Sequence, residues 1–489
     1  MVSTNLPNDE RRMYNGRNLL QGTSAYVNEF TRNAVSYYSS ISYNLKSKYI
    51  LDASLRNDAT NVSGTASRNK FLPTWAVGLA WNLGKDSFME SIDKTVSNTK
   101  LRISYGLRGN AGYRGPDLLA YYENIIRPYA GYNVSGVNIV ESENTDLEFE
   151  KEYMFSTGID FTLLRALDFT VNYYSRKNFD LVGYKPVQAS SGYQTKLFNW
   201  ADMKNEGVEA SANIRSIEIA KNFSWSGMVN FAYNKNTVVS DYQGNNPSVF
   251  NATVSEGFPL QGMPLTGLYS FKFAGLNERG LPTYYNGAGK VVDGFLETDR
   301  DLKNVYYEGS RDPLYSGGFT SNFTYKSLTL GTSFVFNAGH VVRKTDYYRG
   351  GTSSSLYRDD LNVGGDFAFR WRARGDEKFT SIPRLILKED LNDYINQGFF
   401  DASVFSVYNR ADIRTIDASY LRLRNITLQY ALTNLAKRAK MQNLSLGFEA
   451  SNIAVFASER LNGMDPETLL TGLNMPPLRS FTFSLSATF

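Results

Sequence analysis

The chain has 489 residues, with 52 Lys and Arg against 48 Asp and Glu, a single histidine and no cysteine. Without cysteine there is neither a disulfide framework nor a thiolate metal site, and a metallohydrolase or catalytic-triad reading would hang on His340 alone. The net charge of +4 is small and its basic residues are scattered, which argues against nucleic acid, and no run reaches the roughly 18 to 20 apolar residues that a membrane helix needs.

The opening MVSTNLPNDERR has no apolar stretch behind its charges, so it does not read as a signal peptide. Residues 1–36 show at most one poor strand, between Ala25 and Phe30. From there on, period-two alternation predicts strands at 37–45 and 49–56, then at 75–84, where Trp75, Val77, Leu79, Trp81 and Leu83 share one face and Ala76, Gly78, Ala80, Asn82 and Gly84 the other. At 101–108, Leu101, Ile103, Tyr105 and Leu107 alternate with Arg102, Ser104, Gly106 and Arg108. Arginine alternating with leucine does not fit between two apolar layers; it fits a wall with lipid on one side and water on the other. Further strands follow at 153–161, 168–176, 208–215, 223–233, 319–325 and 328–336. At 420–430 the phase slips between Leu423 and Ile426, as a β-bulge or a strand entering from a loop would produce. Strands at 444–450 and 481–489 complete the pattern, the last with Phe481, Phe483, Leu485, Ala487 and Phe489 on one face.

The links sort into two kinds. Short ones (46–48, 84–100, 162–167, 216–222, 326–327, 431–443) take turns with long ones (57–74, 109–152, 177–207, 234–318, 337–419, 451–480). Outer-membrane barrels keep short turns on the periplasmic side and long loops outside, so the last strand is expected to run inward. An odd count of strands does not close an antiparallel barrel, which implies a hidden strand near 25–30 or a chain that is part of a larger wall.

Several segments in order along the chain resemble the C-terminal half of the SusC/RagA family of TonB-dependent transporters: KYILDASLRND, PTWAVGLAWNL with KLRISYGLRGNAG, DMKNEGVEAS, DPLYSGGF before FTYK, SYLRLRNITLQYAL, and NGMDPE followed by RSFTFSLSATF. The resemblance implies an all-β, transmembrane antiparallel barrel of about 22 strands with an N-terminal plug, of which this chain holds the last 13 or 14, about nine being absent. On this view 1–36 is a partial leading loop or strand, 37–489 is barrel, and nothing resembles the plug or the segment that contacts TonB. It also implies a protein that is not an enzyme and uses no cofactor. It would sit in the bacterial outer membrane, in contact with its lipid, and take up an oligosaccharide or peptide with a SusD-like surface lipoprotein and with TonB. A plugless porin or adhesin, and a secreted carbohydrate-binding β-protein, are the alternatives.

Within the resembling segments, Asn205, Gly207 and Glu209, and Asp465, Pro466 and Glu467, stand as family motif positions for which a structural role is the preferred reading. Phe489 resembles the terminal aromatic by which barrels are recognised during assembly. Loop tyrosines Tyr284, Tyr285, Tyr306, Tyr307, Tyr347 and Tyr348 suit stacking on a sugar or packing against a lid, with holding the loops together as the plainer reading. The acidic run Asp293, Glu297, Asp299, Asp301 offers oxygens to calcium but departs from EF-hand spacing and reads better as a hydrated turn. Asp359 with Asp360, and Asp376 with Glu377, are adjacent, so on an extended chain their carboxylates point apart and do not serve as an acid and base pair.

Overall fold

The computed structural model describes residues 33–60, 71–110, 147–188, 195–240, 252–254, 256–294, 302–344, 365–384, 407–471 and 475–489, with backbone alone at a few element ends and for the hairpin pairs at 13–18 and 119–141. The region 25–30, Glu297, Asp299, Asp301, Tyr347, Tyr348, Asp359 and Asp360 lie outside the described residues.

One sheet of thirteen strands dominates. In chain order these are β1 (Ala34–Leu45), β2 (Tyr49–Thr60), β3 (Phe71–Asn82), β4 (Val96–Asn110), β5 (Glu150–Leu163), β6 (Leu167–Pro186), β7 (Thr195–Ala220), β8 (Phe223–Ser240), β9 (Tyr315–Tyr325), β10 (Leu328–Ala338), β11 (Tyr420–Ala431), β12 (Asn443–Ala457) and β13 (Ser480–Thr488). Each pairs antiparallel with the next, and each overlaps one of the predicted strands, although β3 stops at Asn82, with Leu83 and Gly84 in a single turn beyond it, and β13 stops at Thr488.

Register confirms the two faces. Leu51, Leu79 and Ile103 lie opposite one another across β2, β3 and β4, while Asp52, Gly78 and Ser104 form the neighbouring row on the other side. The apolar rows are open: Leu79 is 53% exposed and Phe483 80%. No second layer covers them among the described residues, as a lipid-facing wall requires. The slip in β11 is a bulge in which Arg424 is skipped between Leu423 and Asn425, so that Leu421, Leu423, Ile426 and Leu428 all stay on the apolar side.

The expected loop 177–207 is a correction: β6 runs to Pro186 and β7 starts at Thr195, so the strands project well past their predicted ends. Asp180 has a left-handed backbone, and the register shifts between Asn178 and Leu181 break the alternation that would have revealed the strand.

The packed core lies in the long-link layer. The link after β8 folds into a four-stranded sheet (Gly267–Leu276, Pro282–Tyr285, Val291–Val292, Val305–Ser310). The link after β10 docks on it: Phe271, Tyr284, Val407 and Ala411 make one buried cluster, and Phe271 bridges Ala411. A second cluster of Val342, Ile416, Ala418 and Leu461 brings in the link after β12. Three loops that read as separate are therefore one folded layer.

Candidate functional site: lumen face, rim and outer layer

Three groups of residues lie on the polar side of the wall and above it, the first two built from segments that the sequence singled out. On β7, Asn205, Gly207 and Glu209 all point to the polar face, opposite Arg176, Tyr174 and Asn172 of β6. Gly207 is required by close approach. A Cβ there would strike the Tyr174 hydroxyl and come within 2.6 Å of the Tyr233 carbonyl oxygen. The Tyr174 ring lies across the glycine, its hydroxyl donating to Asn234 Oδ1 at 3.0 Å, with the Arg176 guanidinium 4.7 Å from the ring centre. Glu209 lines a shallow depression with Thr170, Asn172, Ser211 and Asn230. Close by, Arg102 donates to Asp160 at 2.9 Å and to Asn172 at 3.1 Å, and Arg108 pairs with Glu152. The lumen face is thus a lattice of polar and paired charged groups.

The second group sits at the rim. Asp465 caps the short helix α1 (Pro466–Thr471): Glu467 N donates to its Oδ1 at 2.9 Å, and Pro466 takes the first helical position, where a missing N–H costs nothing. The same carboxylate receives Arg422 Nη2 of β11 at 2.6 and 2.7 Å. Glu467 takes Arg424 at 2.6 Å and lies 3.1 Å from Arg422 Nε. The Arg422 side chain is 2% exposed and that of Asp465 10%. Two separate resembling segments, SYLRLRN and NGMDPE, therefore meet in one buried ion network, and the bulge at Arg424 lets both arginines reach Glu467.

The third group is the outer layer. Arg343 ties it together: its guanidinium donates to Tyr269 O at 2.7 Å, to Ser270 Oγ at 3.2 Å and to the Thr253 carbonyl. Lys272 pairs with Asp412 at 2.8 Å, and Arg460 donates to Ile413 O at 3.1 Å. Of the two readings for Tyr284, ligand contact or loop packing, the structure shows packing: it is 1% exposed and lies against Phe271 and Phe273, so its ring builds the layer. Tyr285, Tyr306 and Tyr307 keep exposed surface. Asp376 accepts from the backbone N–H groups of Arg372 and Ala373, and Glu377 from Trp371 Nε1 and Gly375 N, bonds that hold both carboxyls below their usual range. These are turn-forming acceptors. His340 is 1% exposed, and burial holds its pKa below the ordinary value. Among the described residues no cluster of His, Asp or Glu fits a metal. Sequence reasoning missed Arg343 and the partnership of Arg422 with Asp465, because both depend on contacts between distant segments.

This geometry defines an outer-membrane β-barrel wall with a structured outer layer. Residues 3–268 match the family model described as TonB dependent receptor-like, beta-barrel, and the chain belongs to that family. It is 24% identical over 95% of its length to TonB-dependent receptor P3 of Formosa agariphila and 25% identical over 95% to TonB-dependent receptor SusC of Bacteroides thetaiotaomicron, covering 46% and 44% of those proteins. The chain thus spans about half the length of the curated relatives it matches. Among solved structures, the RagAB peptide importer in the open-open state superposes with a TM-score of 0.71 at 22% identity, over 94% of this chain and 47% of that one. The fold is that of the SusC/RagA barrel portion, and the protein belongs in the bacterial outer membrane.

Proposed function

We propose that this protein forms part of the wall and outer vestibule of a TonB-dependent importer that takes up oligosaccharides or peptides together with a SusD-like surface lipoprotein. The observation that supports this best is the co-folded outer layer above a polar lumen face, since a plain diffusion pore needs no such layer knitted by Arg343 and the Arg422 network. The similarity to a protein named SusC and to a structure titled as a peptide importer points the same way and leaves both ligand classes in play. Energy coupling would come from TonB through an N-terminal plug, as the resemblance implies, with 37–489 as barrel. Catalysis has no place in this reading. The test is growth of a strain deleted for the gene on defined oligosaccharides and on peptides as sole nutrients, with recovery of a lipoprotein partner after crosslinking in intact cells. Unchanged growth on both, with no partner recovered, would overturn it.

We also propose that Phe489, 79% exposed beyond the end of β13, serves as the assembly signal. Deleting it should lower outer-membrane insertion in cells while detergent refolding stays nearly intact; unchanged insertion in cells sinks this role.

A further inference from the structure

On the short-link side, the segment 83–95 is the longest connection, closing through two single-turn segments, Leu83–Lys85 and Ser87–Met89. Asp86 pins it to the wall by accepting from Lys48 Nζ at 2.8 Å and Trp81 Nε1 at 2.7 Å. Met89 is buried, yet Phe88 and Ile92 of the same segment are exposed. Beside it, the turn between β5 and β6 holds Leu164 and Arg165 at φ 50 and 57°, with Leu164 N donating to Thr95 O at 2.7 Å. A turn with two left-handed residues ordinarily takes Asn, Asp or Gly, and leucine there brings the Cβ penalty with no polar side chain to bond the local backbone. The Leu164 side chain is 62% exposed, so packing within the described residues does not offset that strain.

These apolar tips continue the lipid-facing surface. Tyr49 and Trp81, both on the apolar rows, stack with ring centres 6.0 Å apart, and Phe88 meets Trp81 edge-on at 6.4 Å. On the adjoining strands Phe161 stacks on Phe169 at 5.0 Å, and Leu163 pairs across from Leu167 and Val96, one step from Leu164. Exposed Lys46, Lys85 and Lys94 lie on these short-side turns, together with Glu90 and with Asp93, which pairs with Arg165 at 3.6 Å. Apolar tips with exposed lysines on the same turns suit the boundary between phospholipid headgroups and acyl chains, where the lysine stems lie in the apolar zone and the charges reach the phosphates.

We propose that segment 83–95 and Leu164 form a foot that seats on glycerophospholipid of the periplasmic leaflet and sets the depth of this side of the wall. Because the chain has no cysteine, a single substitution, Phe88→Cys, Ile92→Cys or Leu164→Cys, can carry a polarity-sensitive fluorophore at one known place. The intact protein is reconstituted in phosphatidylcholine vesicles containing brominated phosphatidylcholine, with Arg374→Cys on the outer layer as the water-exposed reference. Quenching at 88, 92 and 164 is expected on the order of threefold stronger than at 374. Equal quenching, or a blue-shifted emission that bromine does not quench, would mean water or protein covers the tips and would overturn the proposal. The triple variant Phe88→Ser, Ile92→Ser, Leu164→Ser should insert poorly into vesicles while folding normally in detergent. An equal loss in both would make the foot internal packing and overturn it as well. Neither readout depends on which nutrient is imported.

Discussion

Arg422 with Asp465 at the rim and Arg102 with Asp160 in the lumen are the same chemistry in two regions of one sheet, and they differ in burial. At the rim the side chains are 2% and 10% exposed; in the lumen they are 40% and 32%. The rim pair joins residues 43 positions apart and fastens a loop to the wall, whereas the lumen pair joins neighbouring strands already held by their backbone ladder. Burial decides what each contributes. Stripping a partner from a buried pair leaves an uncompensated charge, while water takes over the role of a missing partner at an exposed one.

The largest effect is therefore expected from Asp465→Ala, which takes both carboxylate oxygens from Arg422 Nη2, leaves the buried guanidinium with Glu467 alone at 3.1 Å from Nε, and removes the cap of α1. A loss of about 3–5 kcal/mol, with fast hydrogen exchange across 461–469, is the expected outcome. Adding Arg422→Met should recover much of that loss, because the stranded charge goes with it. A cost below about 1 kcal/mol for the single change would erase the contrast between rim and lumen.

Next comes Gly207→Val, in which the lumen face is disturbed by volume in place of charge. Overpacking typically costs about 1–3 kcal/mol, and Tyr174→Ala in the same chain should relieve only the part due to the ring, since the Tyr233 carbonyl still blocks the Cβ. Full recovery of the melting temperature in the double variant would show that backbone contact is not the reason for glycine here.

How much of this was readable beforehand follows the same division. Wall strands announce themselves because one face meets lipid and the other water, so Leu101 to Arg108 alternates in plain view. The strand Gly267–Leu276 does not: Leu268, Tyr269, Ser270 and Phe271 are all buried, and a strand covered on both faces has no period of two to detect. Tyr284 suited a ligand contact because an amphipathic ring in a long loop serves ligand and packing alike, and the docking of 407–411 shows it as core. The motif NGMDPE was visible as a resemblance. Its tie to Arg422 was not, because no local pattern connects residues on a loop and a strand.

A smaller effect is expected in the outer layer from pH. Burial depresses the His340 pKa, so the folded layer binds fewer protons than the opened one in the window below the ordinary value of about 6.5. Stability contributed by neutral His340 is thus full above that pH and falls as the pH drops towards the depressed value, by at most about 1.4 kcal/mol per pH unit. Asp312 and Asp417 oppose the shift and soften it. Protection of 340–343 and 415–418 against hydrogen exchange, taken relative to the intrinsic rate at each pH, should fall between pH 7 and 5, and His340→Gln should flatten that dependence. An identical pH response in the variant would place the titrating group elsewhere.

The smallest effect on stability is expected from Arg102→Ala, and it is the sharpest check on the comparison. The guanidinium reaches Asp160 and Asn172 across the two adjoining strands, but the strands are held by an unbroken run of backbone pairs from Lys100 to Asn110, and water has access to both partners. The loss should stay within about 1 kcal/mol in chemical denaturation. What changes is the field in the lumen, since Asp160 is left with Thr170 and without its cation. Uptake by the intact protein should then shift between anionic and neutral ligands, with anionic ones disfavoured. A loss of several kcal/mol with no change in ligand preference would put Arg102 in the class of Arg422, and exposure would no longer separate the two regions.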